Sequence, residues 1–286
     1  GDILSWAESS AVVFANSVLG ARCNRNSGII EMFGSIAGFV PEFGLLTDEG
    51  RKATWIIEVD CKRKPEAQVL GSAIGMKVME DVPYIKGLDR WLGRELTPGT
   101  QDYLKDMGAA SASNGAVGLY HVDGITPEAV EQGEHLIALD AQIYRIDDAE
   151  LERIRSSYPV MWKNPGARPK LAFIGCPHLS SAQLAHWADA ICDGLSASGK
   201  CRVQVPTVLT AAPSVADAFR KTAAYRRLST TGAVVSSICP LMYTNNPLCG
   251  SMPIITNSNK LRTYSASRYY TDDEVLAYVT TGKPIK

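Results

Sequence analysis

No stretch of this 286-residue chain approaches the roughly 20 consecutive apolar residues that a bilayer-spanning helix needs. Charge of one sign is equally scarce: 29 Lys and Arg face 30 Asp and Glu, a formal charge of -1. That balance gives no electrostatic case for nucleic acid or an anionic membrane surface as a partner. The sequence has no Cys-x-x-Cys pair, which argues against a zinc ribbon or a thioredoxin-type site. It also has no Gly-x-Ser-x-Gly elbow, P-loop, His-Glu-x-x-His or Gly-x-Gly-x-x-Gly after a strand, so the common hydrolase, nucleotide and metalloprotease signatures are missing. What remains, 45% hydrophobic and 21% charged, is the composition of an ordinary globular chain with ample length for a core.

Seven cysteines stand at 23, 61, 176, 192, 201, 239 and 249. They are odd in number and scattered through a chain too long to need disulfide staples, so they read as reduced thiols, some available to metal, and a cytoplasmic location without a leader is the expectation. The chain opens Gly1-Asp-Ile-Leu without Met, inside what reads as a structured segment. That start leaves room for active-site pieces upstream or on another chain.

Taken in order, Ser9, Ser10, Asn16 and Ser17 cap or line a first helix, with 20–25 as its exit loop. Residues 28–50 read as turn-rich and 52–60 as a strand. The apolar spacing of Val69, Ala73, Met76 and Met79 predicts a helix over 65–80, where Gly75 would permit close packing. Another helix is expected over 100–112, a buried strand over 116–122 with His121 at its end, and a helix opening at Thr126-Pro-Glu. Strands at 141–146, 171–175, 201–209, 233–238 and 253–256 then alternate with helices at 148–157, 180–195, 214–228 and 271–279. Such alternation predicts an α/β fold with mostly parallel sheets, covered on both faces. A Pro/Gly linker near 161–169 divides the chain into a first α/β region, 1–165, and a second, 166–286.

In parallel sheets functional groups gather where strands end. Cys176 follows Leu171-Ala-Phe-Ile-Gly and precedes Pro177-His178, while Cys239 follows Val235-Ser-Ser-Ile and precedes Pro240. Two Cys-Pro pairs after two strands of one sheet suggest two thiolates presented at the same margin. They are equally open to a reading as two buried structural cysteines. A second strand of the same region delivers Thr256, Asn257, Ser258, Asn259 and Lys260 together, side chains suited to a carboxylate or hydroxylated substrate.

Four segments, Trp6–Arg25, Gly118–Glu128, Gly175–His178 and Ile255–Lys260, together resemble the aconitase X family, in the order of that family's large catalytic part. Residues 239–264 look most like the bacterial branch that dehydrates cis-3-hydroxy-L-proline. The resemblance implies aconitase-like three-layer α/β domains and a cytoplasmic enzyme. It also implies an iron–sulfur cluster of 2Fe–2S or 4Fe–4S type, or mononuclear iron, held by three cysteines. Cys176 and Cys239 match two of these. The third is expected in a Cys-Thr-Pro-Tyr-like motif before the Trp-Ala-Glu-Ser-Ser element, and Cys23, where relatives often carry Thr, is not counted. A small swivelling domain or subunit is the implied partner, with a serine as base. On this reading Glu8, His121 and Lys260 are the catalytic candidates, and Ser9, Ser10, Asn16, Asn257, Ser258 and Asn259 grip the substrate. Water is lost from cis-3-hydroxy-L-proline to give 1-pyrroline-2-carboxylate, with iron as Lewis acid. The alternatives are a phosphomevalonate dehydratase-like enzyme and a cluster-free scaffold subunit that binds a small partner chain.

Overall fold

Ala53-Thr-Trp-Ile-Ile-Glu-Val alternates fully buried with more exposed residues, the period-2 signature of a strand between two layers. It forms β1 (Ala53–Val59), one of the two inner strands of the first of two compact units, Gly1–Ser157 and Tyr158–Lys286. The computed structural model describes residues 1–285.

The first unit runs α1 (Ser9–Ser17), α2 (Gly28–Ala37), β1, α3 (Ala67–Val78), β2 (Pro83–Lys86), α4 (Asp89–Leu92), α5 (Pro98–Asn114), β3 (His121–Val122), α6 (Pro127–Gln132), β4 (Ile137–Ile146) and α7 (Asp148–Ser156). Its sheet has the order β3-β2-β1-β4 with every pairing parallel. Helices α3 and α5 cross closely because glycines line the contact. A Cβ on Gly71 would stand 2.1 Å from the Met107 carbonyl oxygen, and one on Gly75 2.4 Å from that of Ser111.

The second unit runs β5 (Leu171–Leu179), α8 (Ser181–Ala197), β6 (Thr207–Ala211), α9 (Pro213–Phe219), α10 (Ala223–Thr230), β7 (Val234–Ser236), α11 (Pro240–Thr244), β8 (Ile254–Thr256), α12 (Asn259–Tyr264), β9 (Arg268–Tyr269) and α13 (Asp272–Thr281). Its sheet, again parallel throughout, has the order β7-β6-β5-β8-β9. One face carries the main core, in which Ala172, Ile174 and Leu209 of the strands meet Trp187 and Ile191 of α8 and Val275 and Val279 of α13. The other carries a smaller cluster around Phe173, Ile254 and Leu261. Parallel strands interleaved with helices are the α/β class that the sequence pattern and the family resemblance predict.

Several segments differ from the sequence expectation. Residues 28–37 form a helix rather than turns: Ser27 caps it by accepting from Ile30 N, and Gly38 ends it in the left-handed region at φ 78°. The expected strand over 116–122 pairs only at His121 and Val122, because Asn16 and Ser17 of α1 take up backbone groups of Gly118 and Tyr120 before the ladder begins. The helix expected over 214–228 is two helices, broken where Thr222 turns extended (φ -86°, ψ 161°) to cap α10. The strand expected from Cys201 starts at Thr207.

Candidate functional site

Strand β5 is where both sheets' common plan acquires chemistry. Residues 172 and 174 point to the main core and Phe173 to the smaller cluster, so strict alternation would send 176 to the main core. Cys176 instead packs in the smaller cluster. The reversal has a local cause. Gly175 adopts φ +104°, and the β5–β6 register shifts between Ile174 and Leu179. One irregular residue in a ladder re-aims every side chain after it. Only glycine fits there, since a Cβ on Gly175 would sit 2.5 Å from the Thr210 carbonyl oxygen.

Cys239 lies three residues beyond β7 as the N-cap of α11 and is exposed. Leu241 and Tyr243 of that helix pack in the cluster that holds Cys176, and the Tyr243 and Phe173 rings lie 5.5 Å apart. The sheet order places β6 between β5 and β7, and all three strands run the same way. Both thiols therefore sit at the carboxyl edge of one sheet.

The same edge receives the polar tip that follows β8. The chain leaves β5 toward β6 on one side, and after β7 returns to lay β8 on the other. The boundary between β5 and β8 is thus the topological switch point, where ligands bind in sheets of this kind. Asn257 donates its amide Nδ2 to Asp272 Oδ1 at 2.8 Å. Burial pushes the Asp272 carboxyl up, opposed by that hydrogen bond and by His186. Ser258 is spent on structure: it is 1% exposed and its Oγ accepts from Leu261 N to cap α12. Asn259, fully buried, donates to the Tyr158 hydroxyl and accepts from Arg262 Nε, each at 2.8 Å. The Arg262 guanidinium lies 4.2 Å over the Tyr158 ring, and burial lowers its pKa. Lys260 is buried beside them on α12.

The remaining sequence-nominated residues belong to the first unit. Glu8 is exposed and caps α1, its carboxylate accepting from Ala11 N at 2.8 Å; Ser9 and Ser10 begin that helix. Asn16, fully buried, exchanges hydrogen bonds with the Cys23 backbone and donates to the Gly118 carbonyl, so its amide is occupied by the fold. His121 is 1% exposed and reaches the Arg51 carbonyl at 2.8 Å. Cys23 is buried, with burial raising its pKa, and its sulfur lies 3.4 Å from both Trp6 N and Trp6 O.

Sequence reasoning missed Tyr158, Arg262 and Asp272. Asp272 is visible beforehand only as an acid in a helix first turn; nothing local signals that it receives Asn257. As a metal centre the donor set is partial. Two soft thiols at one sheet margin suit iron or an iron–sulfur cluster. Among the described residues, however, no group of three or more His, Cys, Asp or Glu assembles that could hold a metal ion. Cys176 and Cys239 are the soft donors at this edge that would hold such a group. No helix among the described residues is long and apolar enough to cross a membrane.

Comparison with known proteins bears on this geometry. Three family models match in succession: Aconitase X first domain over residues 1–49, Aconitase X second domain over 53–156 and Aconitase X third domain over 169–273. Among curated relatives, the phosphomevalonate dehydratase large subunit of Thermococcus kodakarensis is 36% identical over 93% of this chain and 64% of its own length. The cis-3-hydroxy-L-proline dehydratase of Pseudomonas aeruginosa is 31% identical over 93% of this chain and 44% of its own. The crystal structure of Thermococcus kodakaraensis aconitase X in its holo-form superposes with a TM-score of 0.79 at 31% identity, covering 97% of this chain and 68% of that one. The chain thus spans under two thirds of the length of these curated relatives.

Proposed function

This chain belongs to the aconitase X family, and on that footing we propose that it is the large catalytic part of a dehydratase removing water from a β-hydroxy amino acid, cis-3-hydroxy-L-proline in the first instance. The observation that carries the reading is the convergence on one switch-point edge of a re-aimed thiol, Cys176, a second thiol, Cys239, and the Asn257–Lys260 tip.

Dehydration needs a base for the α-proton and a way for hydroxide to depart from the β-carbon. Cys176 and Cys239 would hold iron or an iron–sulfur cluster at the sheet margin. When bound, that group supplies the Lewis acidity that lets hydroxide leave without a proton donor. Lys260 would bind the substrate carboxylate, and Asn257, whose amide Nδ2 donates to Asp272, would hydrogen-bond the substrate's polar groups. A small subunit or swivelling domain, a partner in keeping with the words 'large subunit' in the name of one relative, would supply the base. The α-proton goes to that base, the C–H pair forms the double bond, and hydroxide leaves; the resulting enamine tautomerises to 1-pyrroline-2-carboxylate.

A second reading, phosphomevalonate as substrate, is favoured by the 36% identity to a phosphomevalonate dehydratase large subunit. The first reading draws on Asp272 beside Asn257, a carboxyl that would pair with a secondary ammonium, while Lys260 and Arg262 of the same tip would take a carboxylate or a phosphate alike. The test is an anaerobic assay of the iron-reconstituted chain together with its small partner, run in parallel on the two substrates. Pyrroline formation supports the first reading; dehydration of phosphomevalonate alone replaces it with the second; iron-free, inactive protein replaces both with a scaffold role.

A further inference from the structure

Helix α1 is held by hydrogen bonds at its carboxyl end. Asn16 and Ser17 are 0% and 2% exposed, and between them they bind the backbone of Cys23, Gly118 and Tyr120. The last backbone tie comes from Arg51, itself 1% exposed. Its guanidinium donates to the Asn16 carbonyl at 3.2 Å, to the Leu45 carbonyl at 2.9 Å and to Glu128 Oε1 at 2.7 Å. A fork with three fixed acceptors is rigid only if the backbone that bears it is also fixed.

His121 does that. A carbonyl oxygen only accepts, so the 2.8 Å contact between His121 Nε2 and the Arg51 carbonyl assigns the proton to Nε2. Its other nitrogen, Nδ1, faces Glu128 Oε2 across 3.7 Å, too far for a hydrogen bond, and that oxygen is buried without a hydrogen-bond partner among the described residues. The ring's other neighbour is Tyr84, with centroids 6.3 Å apart. A ring 1% exposed, with its donor spent on backbone, is not placed to exchange protons with a substrate.

We propose that His121 is a positioning residue for α1. By fixing the Arg51 backbone it fixes the guanidinium that grips the end of the helix, and so sets where Glu8, Ser9 and Ser10 stand at the other end. Its consequence for catalysis rests on the dehydratase reading together with the family resemblance, which implies substrate contact for those residues; its consequence for α1 does not. Burial, which lowers the imidazole's pKa, keeps the ring neutral and the Nε2 proton directed at the carbonyl.

The experiment compares His121→Gln, whose amide restores one donor, with His121→Leu, which leaves the Arg51 carbonyl unpaired in a dry interior. Hydrogen exchange of the α1 amides reads the position directly. His121→Leu should speed exchange at Val12–Ser17 roughly tenfold or more, the loss of one buried hydrogen bond, while His121→Gln stays near wild type. In the dehydration assay with the small partner present, His121→Leu should raise KM with kcat little changed, and His121→Gln should recover it. Unchanged α1 exchange in His121→Leu overturns the proposal, as does an equal collapse of kcat in both variants, which marks a proton-transfer role. Should His121→Leu fail to fold, His121→Asn, whose shorter amide does not span to the carbonyl, takes its place. If wild type turns over neither substrate, the dehydratase reading fails while the exchange data still decide the role of His121.

Discussion

The inner strands β1 and β5 occupy equivalent places in two sheets of nearly the same topology, and they finish differently. Strand β1 stays in register with β4 from Trp55 to Val59, and its exit is sealed: Asp60 N donates to the Ile146 carbonyl, and Lys62 N to Asp148 Oδ2. Strand β5 loses register at Gly175 and turns Cys176 onto the opposite face. Both have a switch point beside them, between β1 and β4 and between β5 and β8. Topology gives both units a switch point, and one glycine-dependent irregularity turns the β5 thiol onto the face opposite the main core.

The sharpest way to break this contrast is at the thiols. Cys239→Ser is expected to abolish iron retention after anaerobic reconstitution, and dehydration with it, whereas Cys61→Ser at the exit of β1 should leave both intact. Iron content and visible absorption measure the first, independent of turnover. Next, Gly175→Ala forces a Cβ against the Thr210 carbonyl at a positive φ and should cost roughly 2–4 kcal/mol in denaturant unfolding. The matching change Gly99→Ala in α5, where the nearest atom to a Cβ is 3.9 Å away, should stay within about 0.5 kcal/mol.

Thiol chemistry should separate the units as well. Burial and Asp148 push the Cys61 thiol up to about 11, and Cys23 is also raised by burial, whereas Cys201 and Cys239 of the second unit are exposed. Alkylation at pH 8, read by peptide mass, should label Cys201 and Cys239 at least about a hundredfold faster than Cys61. Equal rates would mean that the first unit opens far more readily than its packing implies.

The smallest effect is in pH, and its sign differs between the units. His121 has its folded pKa below the ordinary 6.5, so the unfolded chain binds the extra proton: its stability contribution is complete above 6.5 and is lost as pH falls toward the folded value. Asp272 has its folded pKa above the ordinary 3.8, so its contribution is complete below 3.8 and is lost as pH rises through the folded value. In thermal melts His121→Gln should flatten the acid limb just below 6.5. Asp272→Asn should flatten the opposite slope above 3.8. A His121→Gln acid limb identical to wild type would show that other groups set it.

Much of this was legible in the sequence because the signals are local. The alternation around Ile57, the capping pattern at Ser180 and Thr271 and the strand before Cys176 place elements by period and cap chemistry alone. Helix α2 escaped because its glycines suggested turns, although Ile29, Ile30, Phe33 and Ile36 keep helical spacing. At the candidate site the nomination of polar residues from the chain did not distinguish groups facing a ligand from groups consumed by the fold. Asn16, Ser258 and Asn259 have partners 102, 3 and 101 residues away, and only the second of these distances is visible to a reading of neighbours.

By itself the sequence determined the α/β class, the family and the edge on which Cys176, Cys239 and Asn257–Lys260 would gather, since strand direction and order of delivery follow from period and chain connectivity. The tertiary structure alone decided that Cys176 turns away from the main core, that Asp272 takes hold of Asn257, and that His121 is spent on Arg51. Each of those outcomes depends on which distant backbone or side chain arrives within 3 Å, and side-chain hydrogen bonds across packed elements leave no periodic trace in the chain.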